Sequence, residues 1–146
     1  MGMTRISERE LRRWTTGGSD VVRPSKYGVA KKADRTVDGI VFDSKAEARR
    51  YSELQLLEKA GEIRDLELQP EYVLVYPFVY KGKRFRGVKY RADFRYWTVP
   101  KPTGPHIFGE LVVEDVKGMR TPAYTIKKQL LLTRFPDINF VEIGSK

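Results

Sequence analysis

The 146-residue sequence contains no cysteine and a single histidine, His106. The absence of cysteine excludes disulfides, thiolate nucleophiles and cysteine-ligated zinc sites, and it fits a reducing cytoplasm. The lone histidine stands in a segment rich in proline and glycine, between Pro100 and Phe108. Its isolation argues against metal or acid–base chemistry built on histidine.

Long apolar runs are also missing from the sequence. No stretch approaches the roughly 20 apolar residues that a membrane span requires. The N-terminus lacks the apolar core of a signal peptide. We therefore expect a protein of the cytoplasm with no membrane partner, and the 40% hydrophobic content is sufficient for one core.

Acidic residues are scarce in three segments, although the whole chain has a net charge of only +9. Residues 1–36 have a net charge of +5, residues 81–95 of +6 and residues 117–134 of +5, whereas residues 43–72 have −3. Segregated positive charge is typical of proteins that bind polyanions. A basic surface that only confers solubility is the alternative. An acidic membrane is less favoured, because no basic amphipathic helix with an aromatic face is present.

Residues 1–35 are predicted to form a basic N-terminal arm, followed by one domain over residues 36–146. A Ser-x-x-Glu cap at Ser7 predicts a short helix through Trp14. After it the arm is irregular and basic. Its candidate DNA contacts are Lys26, Lys31 and Lys32, with the aromatic Tyr27 between them.

The domain is predicted to be α/β, with a mixed central sheet flanked by helices. An Asp-Gly pair at residues 38–39 predicts a small hairpin. Helices are predicted over residues 44–60, ended by Gly61, and from a Thr121 cap through Pro122 to residue 134. Strands are predicted over residues 72–80, 85–98, 110–117 and 139–143. The first helix has an apolar stripe formed by Ala46, Tyr51, Leu54, Leu57 and Ala60.

The strand over residues 110–117 ends in Asp115-Val116-Lys117. Strand alternation places Asp115 and Lys117 on one face, roughly 7 Å apart, and Glu114 on the other. By themselves these two residues are compatible with a simple ion pair at a strand end.

Asp93 lies inside a predicted strand with aromatic neighbours. A lone carboxylate in such a position is costly to desolvate and needs a partner, for which a metal ion is one choice. Arg91 and Arg95, as ion-pair partners on an exposed face, are the other.

Glu47 permits two interpretations. With Ser44 it forms a capping box, in which its carboxylate reaches back to the Ser44 amide. Its helical angle, however, lies in the middle of the apolar stripe, between Tyr51 and Leu54, and would direct the carboxylate at the sheet.

Together these residues resemble the PD-(D/E)XK, or restriction-endonuclease-like, nuclease superfamily over about residues 37–143. Four segments resemble more narrowly a family of small phage and prophage endonucleases in it: DSKAEARRY at 43–51, LQP at 68–70, YRADF at 90–94 and VEDVKG at 113–118. Ala92 stands where the superfamily name has Pro, and Asp115 stands where Glu is commoner.

The resemblance implies an αβββαβ core and a phosphodiesterase site in which Mg²⁺ or Mn²⁺ is bound. Asp93 and Asp115 would be the principal ligands, with the carbonyl of Val116. Glu47 would orient a water or ligate a second ion, and Lys117 would position the nucleophile or stabilise the transition state. Carboxylate oxygens are the ligands that these hard cations prefer.

Arg120, Lys127 and Lys128 follow the last motif and are candidate phosphate contacts, unless they form a solvated helix face. We expect a DNA endonuclease selective for branched DNA, such as Holliday junctions in phage recombination or replication inside a bacterial host cell. Symmetric cutting of two strands favours a homodimer. The alternatives are a less selective endonuclease or exonuclease, and a non-catalytic DNA-binding accessory protein.

Overall fold

The computed structural model describes residues 30–103 and 108–144. Ten strands and two α-helices lie within these residues, and a 3₁₀ turn at Lys32–Arg35 precedes them. The helices are α1 (Lys45–Lys59) and α2 (Pro122–Arg134). The strands are β1 (Thr36–Val37), β2 (Ile40–Val41), β3 (Ile63–Leu68), β4 (Glu71–Val75), β5 (Phe78–Tyr80), β6 (Lys83–Phe85), β7 (Val88–Arg91), β8 (Phe94–Thr98), β9 (Leu111–Lys117) and β10 (Asn139–Gly144).

The central sheet has four strands in the order β10-β9-β8-β3. β9 and β10 are parallel, whereas β8 is antiparallel to both β9 and β3. The parallel pair is connected by α2, as a crossover between parallel strands requires. The molecule is therefore mixed α/β, as the sequence predicts.

A helix packs on each face of this sheet. On one face, Leu54 of α1 joins a buried cluster with Phe94, Val112 and Val116. On the other face, Leu131 of α2 joins a second buried cluster that includes Val113. The alternation of Val112, Val113 and Val116 between the two clusters confirms the predicted faces of β9.

Both helices begin where the sequence predicts. The Ser44 hydroxyl accepts from the Glu47 amide, and the Thr121 hydroxyl accepts from the Tyr124 amide. Gly61, at φ 74°, follows the end of α1 in the left-handed conformation that favours glycine. The prediction that Ala60 belongs to the apolar stripe of α1 was wrong, because Ala60 is exposed just beyond the helix.

Two strand predictions were wrong in extent. The predicted strand 72–80 is divided into β4 and β5 around Pro77, and the predicted strand 85–98 is divided into β6, β7 and β8. Pro77 lacks the amide hydrogen that a ladder needs. Between β7 and β8 the chain leaves its pairing with β4 and enters the central sheet. Asp93 therefore lies between these two strands.

The prediction missed β3 entirely. Its composition, IRDLEL, is half charged, and its ladder with β8 is irregular between Arg64 and Glu67. Asp65, at φ 58°, has the left-handed backbone conformation and interrupts the strand alternation. The usual period-2 pattern of apolar residues is therefore absent.

The Asp-Gly hairpin is confirmed: β1 pairs with β2 across Asp38 and Gly39, both at positive φ. The predicted helix through Trp14, and most of the basic arm, lie outside the described residues. At the described end of the arm, the Arg35 guanidinium donates to the carbonyl of Phe42. Within the described part of the chain, no helix is both long enough and apolar enough to cross a membrane.

Candidate active site

Asp93 lies at the crossing between β7 and β8. Its amide donates to the carbonyl of Glu114 on β9, at 3.0 Å. Its Oδ2 accepts from the amide of Val116, at 2.6 Å. The side chain is thus held against β9 by backbone contacts. Arg95, a candidate partner from the sequence, pairs instead with Glu67.

Asp115 lies in the middle of β9 and is almost fully buried, at 1% relative exposure. Its Oδ2 accepts from the Tyr90 hydroxyl. Its Oδ1 forms an ion pair with Nζ of Lys117 at 2.9 Å. That contact lacks hydrogen-bond geometry, so Oδ1 has no hydrogen-bond partner among the described residues. The charge of this buried oxygen is balanced by the Lys117 ammonium, and the oxygen keeps acceptor capacity for a further ligand.

Asp93 and Asp115 influence each other's ionisation. Burial is the main cause that raises the pKa of Asp93 to about 7, and the hydrogen bond from its protonated form to Asp115 and the charge of Asp115 contribute to this shift. The charge of Glu47 acts in the same direction, and the Val116 amide opposes it. The surroundings of Asp93 therefore disfavour its ionised form.

Glu47 is buried at the first turn of α1, where it completes the capping box. Its Oε1 accepts from the Ser44 hydroxyl at 2.9 Å, and its Oε2 accepts from the Asp43 amide at 3.2 Å. The predicted capping partner, the Ser44 amide, was wrong by one residue. Burial raises the pKa of Glu47, while the charge of Lys117 lowers it. Glu47 is consequently both a cap and a neighbour of the aspartate pair.

An open cavity of about 350 Å³ gives solvent access to Asp115 and Lys117. The Lys117 ammonium lies 5.1 Å from the centre of the Tyr124 ring, which is compatible with a cation–π contact. The remaining lining residues come from β7 and the start of α2: Lys89, Tyr90, Arg91, Thr121, Ala123 and Lys127. Basic side chains thus surround the buried carboxylate.

The described residues contain no cluster of three or more Asp, Glu, His or Cys side chains arranged to hold a metal ion. Asp93 and Asp115 form a pair, and the carboxylate of Glu47 is engaged by its cap. Val116 follows Asp115 in β9 and is buried, and its amide donates a hydrogen bond to Asp93. Two carboxylates are nevertheless compatible with Mg²⁺, which keeps several waters and is bound by one or two protein carboxylates.

The predicted phosphate contacts divide into two groups. Arg120 and Lys128 both pair with Glu142 on β10, at 2.6 Å and 2.9 Å. Lys127 lines the cavity and has no carboxylate partner within the described residues. In the arm, Lys31 and Lys32 are exposed, and Lys26 lies outside the described residues.

Two residues with roles at the site were missed by the sequence analysis. Tyr90 donates to Asp115, and burial together with that hydrogen bond raises its pKa, so the phenol stays protonated. Glu142 lies opposite Asp115 in the parallel register of β9 and β10. Hydrogen bonds from Tyr124 and Lys128 lower its pKa to about 2. Only the strand register could have identified this pairing.

A family model matches residues 24–144, and the description of that family is "Protein of unknown function (DUF1064)". The matched range includes every element and every cavity residue described above. No curated protein and no solved structure matches the chain.

Proposed function

This chain belongs to the DUF1064 family of proteins of unknown function, and we propose that it is a divalent-metal-dependent nuclease that hydrolyses phosphodiester bonds in DNA. The observation that supports this most directly is the Asp93–Asp115 pair, in which a buried carboxylate oxygen lacks a hydrogen bond beside Lys117. Carboxyl groups this close repel each other when ionised, and a divalent cation relieves that repulsion.

The residues present fit such a cation. Oδ1 of Asp115 is buried without a hydrogen bond. The Tyr90 hydroxyl holds Oδ2 of Asp115 and the Val116 amide holds Asp93, so both carboxyls have a fixed position. When bound, Mg²⁺ or Mn²⁺ would supply Lewis-acid stabilisation of the phosphate and lower the pKa of a water. We assign Asp93 and Asp115 as its carboxylate ligands, with the carbonyl of Val116 as a third.

The other site residues bind and orient. Lys117, one-third exposed at the cavity, would donate to a phosphate oxygen or to the attacking water, because its ammonium is held between Asp115 and the Tyr124 ring. Tyr90 keeps Oδ2 of Asp115 in place through its hydroxyl. Glu47, whose charge acts on Asp93, would accept a hydrogen bond from the attacking water.

The basic cavity rim favours an anionic substrate. Arg91 and Lys127 line the same cavity as Asp115, as does Lys89, which pairs with Glu71 at 2.7 Å, and cations are the groups that bind phosphates. We further propose that the central sheet with its two helices is a restriction-endonuclease-like core and that the preferred substrate is branched DNA. We also propose that the protein cuts as a homodimer. The process it would serve is phage recombination or replication within a bacterial cytoplasm.

The decisive experiment uses the full chain with labelled linear, flapped, single-stranded and four-way DNA, with and without Mg²⁺. We expect Mg²⁺-dependent cleavage that is lost in Asp93→Asn and in Asp115→Asn. Both variants should still bind DNA at least as tightly, because they remove charge that repels phosphate. Asp65→Asn is the matched control, since Asp65 is exposed and asparagine tolerates its positive φ.

Three outcomes separate the alternatives. Equal cleavage of all four substrates would indicate a less selective nuclease. Binding without cleavage in any divalent metal would indicate a non-catalytic DNA-binding protein. Near wild-type cleavage by either aspartate variant would show that the site has been assigned wrongly.

A further inference from the structure

The hairpin of β5 and β6 has an aromatic face that is open to solvent. Phe78 pairs with Phe85, and Tyr80 pairs with Lys83, so these four side chains lie on one face. The three rings are 47%, 36% and 59% exposed for Phe78, Phe85 and Tyr80. The two phenylalanine rings are stacked, with centroids 4.9 Å apart and an interplanar angle of 5°.

Cations accompany these rings. Nζ of Lys81 lies 5.5 Å from the centre of the Tyr80 ring, and Nζ of Lys83 lies 5.6 Å from that of Phe85. Between Glu71 and Asp93 the chain has six basic side chains and no acidic one. Exposed rings interleaved with cations are the composition of surfaces that stack bases and hold the phosphates between them.

The hairpin is connected to the candidate active site through β7. β7 pairs with β4 and contributes Lys89, Tyr90 and Arg91 to the cavity around Asp115. β6 leads through Gly87 into β7. A Cβ at Gly87 would lie 2.6 Å from the carbonyl oxygen of Val75, so the strands approach closely at this junction. The tip at Gly82 is at most roughly 20 Å from the start of β7, given the rise of an extended strand.

We propose that the aromatic face of the β5–β6 hairpin binds unpaired bases of DNA by stacking, next to the strand whose phosphate enters the cavity. The identity of the partner rests on the proposed nuclease function. The positive charge argues against a second copy of the hairpin as the occupant, because like charges would be brought together. Stacking requires a base whose π-face is free, so single strands and branch points are the DNA forms this surface would bind.

The test measures the affinity of the full chain for fluorescent single-stranded and fully duplex DNA by anisotropy, without divalent metal. We expect Tyr80→Ala to weaken single-strand binding roughly ten-fold or more, with a smaller effect on duplex. Tyr80→Phe should retain wild-type affinity because it keeps the ring. Val79→Ala is the matched control, since Val79 lies on the opposite face of the same hairpin and is 65% exposed.

Several results would overturn the inference. One is a Tyr80→Ala protein that binds single strands as tightly as Val79→Ala does; another is an equal loss on duplex, which would indicate backbone contact alone. Loss of self-association in sedimentation, or of binding to vesicles of phosphatidylserine and phosphatidylcholine, with DNA binding unchanged would assign the face to a second copy or to a membrane. If Tyr80→Ala does not fold, the Lys81→Gln/Lys83→Gln double variant must show the single-strand loss instead.

The cleavage assay distinguishes this inference from the proposed function. Ring-dependent binding of single strands by a protein that never cuts DNA would support the hairpin and refute the nuclease. Normal cleavage and unchanged binding in Tyr80→Ala would support the nuclease and refute the hairpin.

Discussion

Asp93 has the most unusual environment of the four candidate catalytic residues. Its carboxyl accepts from the Val116 amide, and it is largely buried beside Asp115. Such a carboxyl holds a proton near neutral pH unless a cation replaces it. Protonation and metal binding at Asp93 are therefore in competition.

This competition predicts how stability depends on pH. Burial raises the pKa of Asp93 from 3.8 to about 7, so between these values the folded state keeps a proton that the unfolded state has lost. The contribution of Asp93 to the free energy of unfolding is therefore greatest below the unfolded pKa and falls as pH rises towards 7. Asp93→Asn should flatten the dependence of the melting temperature on pH across this window.

Millimolar Mg²⁺ should restore the stability that is lost as pH rises towards 7. The cation binds the ionised pair, so we expect it to raise the melting temperature more at about pH 8 than at about pH 5. Asp65→Asn should behave as wild type in both series. An Mg²⁺ effect of equal size at both pH values, or in the Asp93→Asn protein, would contradict binding at this pair.

At the scale of the element, the first turn of α1 has two functions at one side chain. Glu47 accepts from the Ser44 hydroxyl and the Asp43 amide, and it is also the acidic residue of α1 whose charge acts on Asp93. Helix capping and catalysis are separable here, because the cap needs a hydrogen-bond acceptor and the proposed chemistry needs a charge.

Glu47→Gln should therefore keep the helix and lose most of the cleavage. The amide oxygen still accepts from Asp43, and the amide nitrogen can donate to Ser44, so we expect little change in melting temperature. Ser44→Ala is the converse control: it should cost about 0.5–2 kcal/mol of stability and leave the folded protein active. Calorimetry and initial cleavage rates measure the two effects. A fully active Glu47→Gln protein would restrict Glu47 to its capping role.

For the whole molecule, the distribution of charge decides which cations are available to DNA. The sequence expectation treated Arg120, Lys127 and Lys128 alike. In the fold, Arg120 and Lys128 share one ion-pair partner, Glu142, and Lys127 lines the cavity instead. A lysine that has no carboxylate partner can bind a phosphate and displace its counterions without first breaking an ion pair.

We therefore expect Lys127→Gln to weaken duplex binding more than Lys128→Gln does. If Lys127 neutralises one phosphate, its removal should make the log–log dependence of affinity on salt shallower by about 0.9, irrespective of DNA sequence. Lys59→Gln, at the exposed end of α1, should leave the slope unchanged. Anisotropy titrations across a salt series provide the measurement. An unchanged slope in Lys127→Gln would show that this part of α2 is a solvated surface.

The sequence by itself determined the features that depend on neighbours along the chain. Ser44, Gly61 and the Thr121-Pro122 pair predicted the helix ends to within a residue, because caps act over three or four residues. Strand alternation likewise depends only on neighbours along the chain, and it placed Asp115 and Lys117 on one face of β9. The four candidate catalytic residues were also identified from the sequence, although their catalytic function stays a prediction.

The tertiary structure alone decided the features that depend on distant partners. Tyr90 contacts Asp115 across 25 residues, and Arg50 pairs with the buried Glu114 across 64. The register of β9 against β10 sets Glu142 opposite Asp115 and thereby engages Arg120 and Lys128. The division of one predicted strand at Asp93 follows from its two halves pairing with different neighbours. No local propensity encodes these choices, because each depends on which strand lies alongside once the chain has folded.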